Sequence, residues 1–143
     1  MTFNALIIKK PGDWETLTRS VKFLSRDKVS EVRYVTSVED LTEDPAVVDV
    51  VLMAVTGQAD YAIEIYGLDL SDNAVGMHIA VSTGQPVIIA RNTPNPYEWQ
   101  LLHPDGKIED IDLDIEKLDE MSLIEYKTAE QAGSVGRDTA AKP

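Results

Sequence analysis

Between residues 60 and 72 the chain carries four carboxylates, Asp60, Glu64, Asp69 and Asp72, interleaved with Tyr61 and Tyr66 and followed by Asn73 and His78. Two carboxylates that converge in a partly buried site repel each other, so one keeps its proton and the pair can work as acid and base. An ionised carboxylate aimed at an anomeric carbon can also act as a nucleophile. Asp72 and Glu64 are the candidates for these catalytic roles. Tyr61, Asp69, Asn73 and His78 are the candidate ligand contacts, since a tyrosine ring can stack on a base and an imidazole can take a proton. The same residues have a structural reading. Asp72 suits a helix cap, the other carboxylates suit a solvated loop, the tyrosines suit core or rim packing, and His78 suits the edge of a helix face.

These side chains sit inside a unit running from residue 46 to residue 92. Residues 47–55 are a continuous apolar, β-branched run that Gly57 breaks. Residues 71–83 have helical character, capped by Ser71 or Asp72, with Val75, Ile79 and Ser82 toward a sheet. Gly84 suits a left-handed C-cap, and Gly84-Gln85-Pro86 leads into a strand over 87–90. Both strands read as buried on both faces, the mark of a parallel sheet covered by helices. Ligands of such sheets sit beyond the carboxyl ends of the strands, which places the expected site in the loop 56–73. Residues 61–68 alternate as a strand would but also present a helical face, and are read as a short helix or a loop carrying a helical turn. Gly76 costs its helix about 1 kcal/mol relative to alanine and implies a close approach of helix to strand.

Upstream, residues 3–8 form a strand that ends at Lys9-Lys10-Pro11-Gly12. Asp13 caps an amphipathic helix with Trp14, Leu17, Val21 and Leu24 on one face. Residues 31–36 are a second strand, and residues 37–40 resemble a capping box for one or two helical turns. Downstream, residues 97–103 form a strand, Pro104-Asp105-Gly106 reverses the chain, and residues 107–111 pair back antiparallel. Residues 112–118 suit a last helical turn or helix. The expected fold is α/β: one Rossmann-like domain over residues 1–126, with a mainly parallel sheet flanked by helices on both faces and a C-terminal antiparallel hairpin. A mobile polar tail is expected over 127–143.

Composition narrows the function. A length of 143 residues suits one domain. The absence of cysteine excludes disulfides, thiolate nucleophiles and cysteine metal sites. A net charge of −12 repels free nucleic acid. No apolar run approaches the roughly 20 residues that cross a bilayer, and residues 1–8 read as a strand rather than a signal peptide. A cytoplasmic location without a membrane partner is expected. His78 and His103 are the only histidines and lie far apart, so no metal pair is expected. No nucleophile elbow, P-loop or dinucleotide fingerprint is present, and no cofactor is expected.

The run 47–55, the helix from Asp72 and the sequence Gly84-Gln85-Pro86-Val87 together resemble the core of the nucleoside 2-deoxyribosyltransferase family. There, a strand ending in an aspartate-containing loop leads to a helix and then to a glycine-lysine-proline-valine-like start of the next strand. The resemblance covers about a third of the chain. It implies a nucleoside or nucleotide ligand and a nucleophilic glutamate in that helix, roughly two turns before the glycine; the position here is Gly76. Either Asp72 or Glu64 supplies a carboxylate from the loop, or the chain has a related fold without that chemistry. Two functions follow. One is binding of a nucleoside or nucleotide, with hydrolysis or transfer at its N-glycosidic bond or as an inactive relative. The other is a non-catalytic interaction or assembly subunit that uses its acidic surface, hairpin and tail to hold a protein partner or a second copy.

Overall fold

Tyr61, Ile63 and Ile65 alternate with Ala62, Glu64 and Tyr66, and the alternation resolves as a strand, not as a helical turn. The computed structural model describes residues 3–26 and 28–128. Their elements are β1 (Phe3–Ile8), α1 (Trp14–Leu24), β2 (Glu31–Val35), a 3-10 turn (Val38–Asp40), β3 (Val47–Ala54), β4 (Thr56–Gly57), β5 (Tyr61–Tyr66) and α2 (Asp72–Thr83). They continue with β6 (Val87–Ala90), β7 (Glu98–Leu102), β8 (Ile108–Leu113), α3 (Ile115–Met121), β9 (Leu123–Ile124) and β10 (Tyr126–Thr128).

Eight strands form one sheet in the order β10-β8-β7-β6-β1-β5-β3-β2. Within it only β2 and β3 run parallel among the described residues; the other neighbours are antiparallel. The mainly parallel, Rossmann-like sheet expected from the sequence is therefore corrected to a mixed, mostly antiparallel one. The reason lies in what a continuous apolar run reports. Residues 48–51 of β3 and 87–89 of β6 are indeed buried on both faces. Double burial records what covers a strand; it is commoner in parallel sheets but does not by itself fix a strand's direction. β5, read as helix or loop, inserts between β3 and β1 and turns both contacts antiparallel. The antiparallel hairpin stands within this sheet as β7 and β8, reversed at Gly106.

Two apolar layers cover the sheet on opposite faces. On one face α1 and α2 lay Leu17, Val21, Val75, Ile79 and Ala80 over Leu6, Ile8, Val48, Val50, Ile63, Ile65, Val87 and Ile89. On the other, α3 and β9 cover Ile7, Ile88, Leu101, Ile111 and Leu113 with Ile115, Leu118 and Ile124. The two layers are offset along the sheet, the first centred on β3, β5, β1 and β6 and the second on β1, β6, β7 and β8. β4 and β9 pair to hold the second layer down. Gly57 allows that pairing: its φ is +92°, and a Cβ there would meet the Ile124 carbonyl oxygen at 2.3 Å. Lys127 and Thr128, expected to begin the tail, lie in β10 and pair with β8. The rest of the expected tail, residues 129–143, lies outside the described residues. No helix among the described residues is long and apolar enough to cross a membrane.

α1 is tied to the sheet through Tyr34, whose hydroxyl lies 2.7 Å from that of Thr18 and whose ring meets Trp14 edge-on. Burial raises the Tyr34 pKa above the ordinary 10.0. The folded protein thus holds this proton to higher pH than the unfolded chain does. The contribution is complete below the ordinary tyrosine range and is lost as pH rises from there through the raised folded value. Tyr34→Phe is expected to cost about 1 kcal/mol at neutral pH and to make the alkaline fall in stability shallower. Urea titrations at neutral and alkaline pH measure both effects.

Candidate functional site

The start of α2 holds two of the sequence candidates together. Ser71 caps the helix by accepting from the Ala74 amide at 3.2 Å, so Asp72 becomes its first residue rather than its cap. Asp72 accepts a 2.7 Å hydrogen bond from the Asn4 amide group, which also donates to the Leu70 carbonyl at 2.9 Å. Asn4 is buried and fixes the helix start to β1. Asp72 and Asn73 open onto a groove of about 690 Å3 that is completed by Ser71, residues 90–93 and Gln100. Arg91 lies 3.6 Å from Asp110 there, and Asn73 reaches Gln100 at 3.5 Å. A helix N-terminus, amides, the Asp72 carboxylate and a guanidinium already beside Asp110 make this a polar groove of mixed charge, suited to a polar ligand. The segment 90–93 was legible only as a loop following a strand; its place beside α2 comes from the turn at Gly84, which folds β6 back along the helix.

The other candidates disperse. Glu64 alternates with Ile63 and Ile65, which lie under the helices, so its side chain takes the opposite face of the sheet from Asp72. It accepts the Tyr66 hydroxyl at 3.0 Å. The two proposed catalytic carboxylates therefore do not converge. Asp60 accepts from the Lys10 amide at 2.7 Å and pins the turn before β5. Asp69 lines a separate cavity of about 380 Å3 with Arg26, Lys28 and Val29. Tyr61 packs edge-on against Trp14, with ring centres 5.4 Å apart. His78 faces α1: its Nδ1 lies 2.6 Å from the buried Ser20 hydroxyl, and its ring stacks on Phe23. It joins two helices and lies away from the groove. Among the described residues no three His, Asp or Glu side chains gather to hold a metal ion.

Gly76 packs on the sheet. A Cβ added there would lie 2.7 Å from Leu102 Cδ1 and 3.3 Å from Ile89 Cγ2, so the close helix-to-strand approach expected from the sequence is present. The position that the resemblance reserves for a nucleophile points into the apolar core.

No protein-family model, curated protein or solved structure matches the chain. The site must be read from its own chemistry.

A second groove, of about 420 Å3, escaped the residue-by-residue reading. It is lined by Asn95, Tyr97, Asp112, Asp114, Glu116, Glu125 and Tyr126, with Leu113 and Lys127. β8 ends at Leu113, Asp114 caps α3 by accepting from the Lys117 amide, and β10 returns alongside β8, so three short elements converge on one spot. The Tyr97 hydroxyl donates to Glu116, 2.6 and 2.7 Å from its two oxygens. That hydrogen bond raises the Tyr97 pKa. Lys117 is held 2.9 Å from Glu125 and 3.9 Å from Asp114, and the bond to Glu125 raises its pKa. The signal was present in the sequence as charge density: residues 105–128 carry nine carboxylates against three lysines, a net −6.

Proposed function

We propose that this is a cytoplasmic, non-catalytic interaction protein that holds a basic protein surface against the acidic face built from β8, α3 and β10. The observation that carries the reading is the groove between Tyr97, Asp112, Glu116 and Glu125, set in a segment with a net charge of −6. Opposite charge across an interface steers encounter and fixes orientation more than it adds affinity. Tyr97 and Tyr126 offer the flat, partly apolar anchors that interfaces favour. The separation of Glu64 from Asp72 also favours binding over carboxylate-pair catalysis.

A second reading is carried by the groove at the start of α2: a nucleoside or nucleotide held by Asp72, Asn73 and Arg91. One experiment separates the two. Amide NMR spectra recorded with a lysine- and arginine-rich peptide are expected to shift residues 105–128 at low salt and to lose those shifts at high salt. Shifts spread evenly over the molecule, or none at all, would sink the interaction reading. Shifts confined to residues 71–73 and 90–93 on addition of nucleosides or nucleotides would favour the second.

A further inference from the structure

We propose that the protein also self-associates, through the free edge of β2, with two copies meeting antiparallel about a two-fold axis at Val32 so that their sheets join edge to edge. This rests on residues outside both grooves and is independent of the function proposed above.

The backbone sets the geometry. The Glu31 amide donates to the Ala46 carbonyl at 3.3 Å, within the parallel register that places Glu31 beside Val47. In a parallel ladder alternate residues bond to the same neighbour, so Glu31, Arg33 and Val35 address β3. Val32 and Tyr34 then turn their N–H and C=O groups outward, where no described residue meets them. A groove of about 620 Å3 runs along this edge, lined by Glu31, Val32, Arg33, Tyr34, Val35 and Asp40.

The two edges of the sheet are not alike. Proteins blunt an edge with shortness, lysine, proline or a bulge, because unpaired backbone groups invite a new strand. β10 has three residues and carries Lys127. β2 has five residues, Glu-Val-Arg-Tyr-Val, with neither proline nor lysine.

Charge then selects the occupant and the register. In an antiparallel pair, residues with outward backbone groups must face each other, which leaves two-fold axes at Val32, Arg33 or Tyr34. An axis at Arg33 would oppose two guanidiniums. An axis at Tyr34 sets Arg33 against Val35 and gives no ion pair. The axis at Val32 sets Glu31 against Arg33 of the second copy, and does so twice. The backbones then join through the Val32 pair alone, because Tyr34 faces Ser30, whose N–H is given to the Ala46 carbonyl at 2.7 Å. Arg33 can serve both roles: its Nε binds Asp49 and its Nη2 binds the Asp40 carbonyl, while Nη1 has no partner among the described residues. The net −12 does not forbid the approach. Residues 19–33 hold five basic side chains against two acidic ones, and the edge groove itself carries Arg33 with two carboxylates, Glu31 and Asp40.

The full-length protein is examined by sedimentation velocity over a range of concentrations, with amide hydrogen exchange at Val32 read under the same conditions. A dimer is expected, with the Val32 amide more protected as concentration rises. Glu31→Arg, at an exposed position that keeps the fold, replaces both ion pairs by repulsions and is expected to weaken dimerisation by at least about tenfold. Circular dichroism confirms that the variant is folded. A monomer at every concentration overturns the proposal. A dimer whose Val32 amide stays unprotected, or which Glu31→Arg leaves intact, also overturns it by assigning association to another surface.

Discussion

Gly76→Glu, which places a carboxylate where the resembling family has its nucleophile, is expected to destabilise the protein by about 5 kcal/mol and to restore no activity. The first contribution is steric. The added Cβ would sit 2.7 Å from Leu102 Cδ1 and 3.3 Å from Ile89 Cγ2, both fully buried side chains, and overpacking a filled core costs about 1–3 kcal/mol. The second is electrostatic. The rest of the glutamate would project among Val87, Ile89 and Leu102 with no cation to pair it, and an unpaired buried charge costs about 3–5 kcal/mol. Better helix propensity returns about 1 kcal/mol. A loss of this size is a large share of the stability of a small domain. Chemical denaturation of Gly76→Glu beside Gly76→Ala measures it. Alanine brings the same Cβ against Leu102 and Ile89 but no buried charge, so after the gain in helix propensity its net cost is expected to be about 0–2 kcal/mol, well below that of glutamate. A stable Gly76→Glu protein would contradict the packing of α2 on β6 and β7.

Asp49→Ala is expected to cost about 3 kcal/mol and to loosen the crossing from β2 to β3. Asp49 is 2% exposed. It accepts from Arg33 Nε at 2.9 Å and from the Thr42 amide at 2.7 Å, while Arg33 also donates to the Asp40 carbonyl. This one carboxylate ties two strands to the connecting loop that passes over them. A parallel pair needs a crossover connection, usually a helix, and here a 3-10 turn and loop take that place. Loss of the carboxylate leaves the Thr42 amide without its acceptor and the half-exposed guanidinium without its counter-ion. The effect is placed at the lower end of the range for buried pairs because Arg33 keeps contact with water. Asp49→Asn retains an acceptor and is expected to lose about half as much. Urea midpoints give the size of the loss, and faster amide exchange at Thr42 gives its location. An unchanged Thr42 amide in Asp49→Ala would show that the loop is held by something else.

What the sequence by itself determined was local. The helices α1 and α2, the cap at Asp13, the left-handed Gly84 at the end of α2 and the β7–β8 reversal all follow from preferences acting over a few residues. Such signals survive in one dimension because spacing, capping and turn chemistry depend on near neighbours. Only the tertiary structure decided strand direction. A fully covered strand has the same apolar run whether its neighbour is parallel or antiparallel, and the residues that pair with β1 lie more than fifty positions away in β5 and β6. The candidate site divided in the same way. Asp72 and Asn73 were legible as the start of a helix, but their partners on 90–93 and Gln100 come from distant strands. Glu64 could be assigned to the face opposite Asp72 only once residues 61–66 were known to be a strand, since a helical turn and a strand send position 64 to different sides.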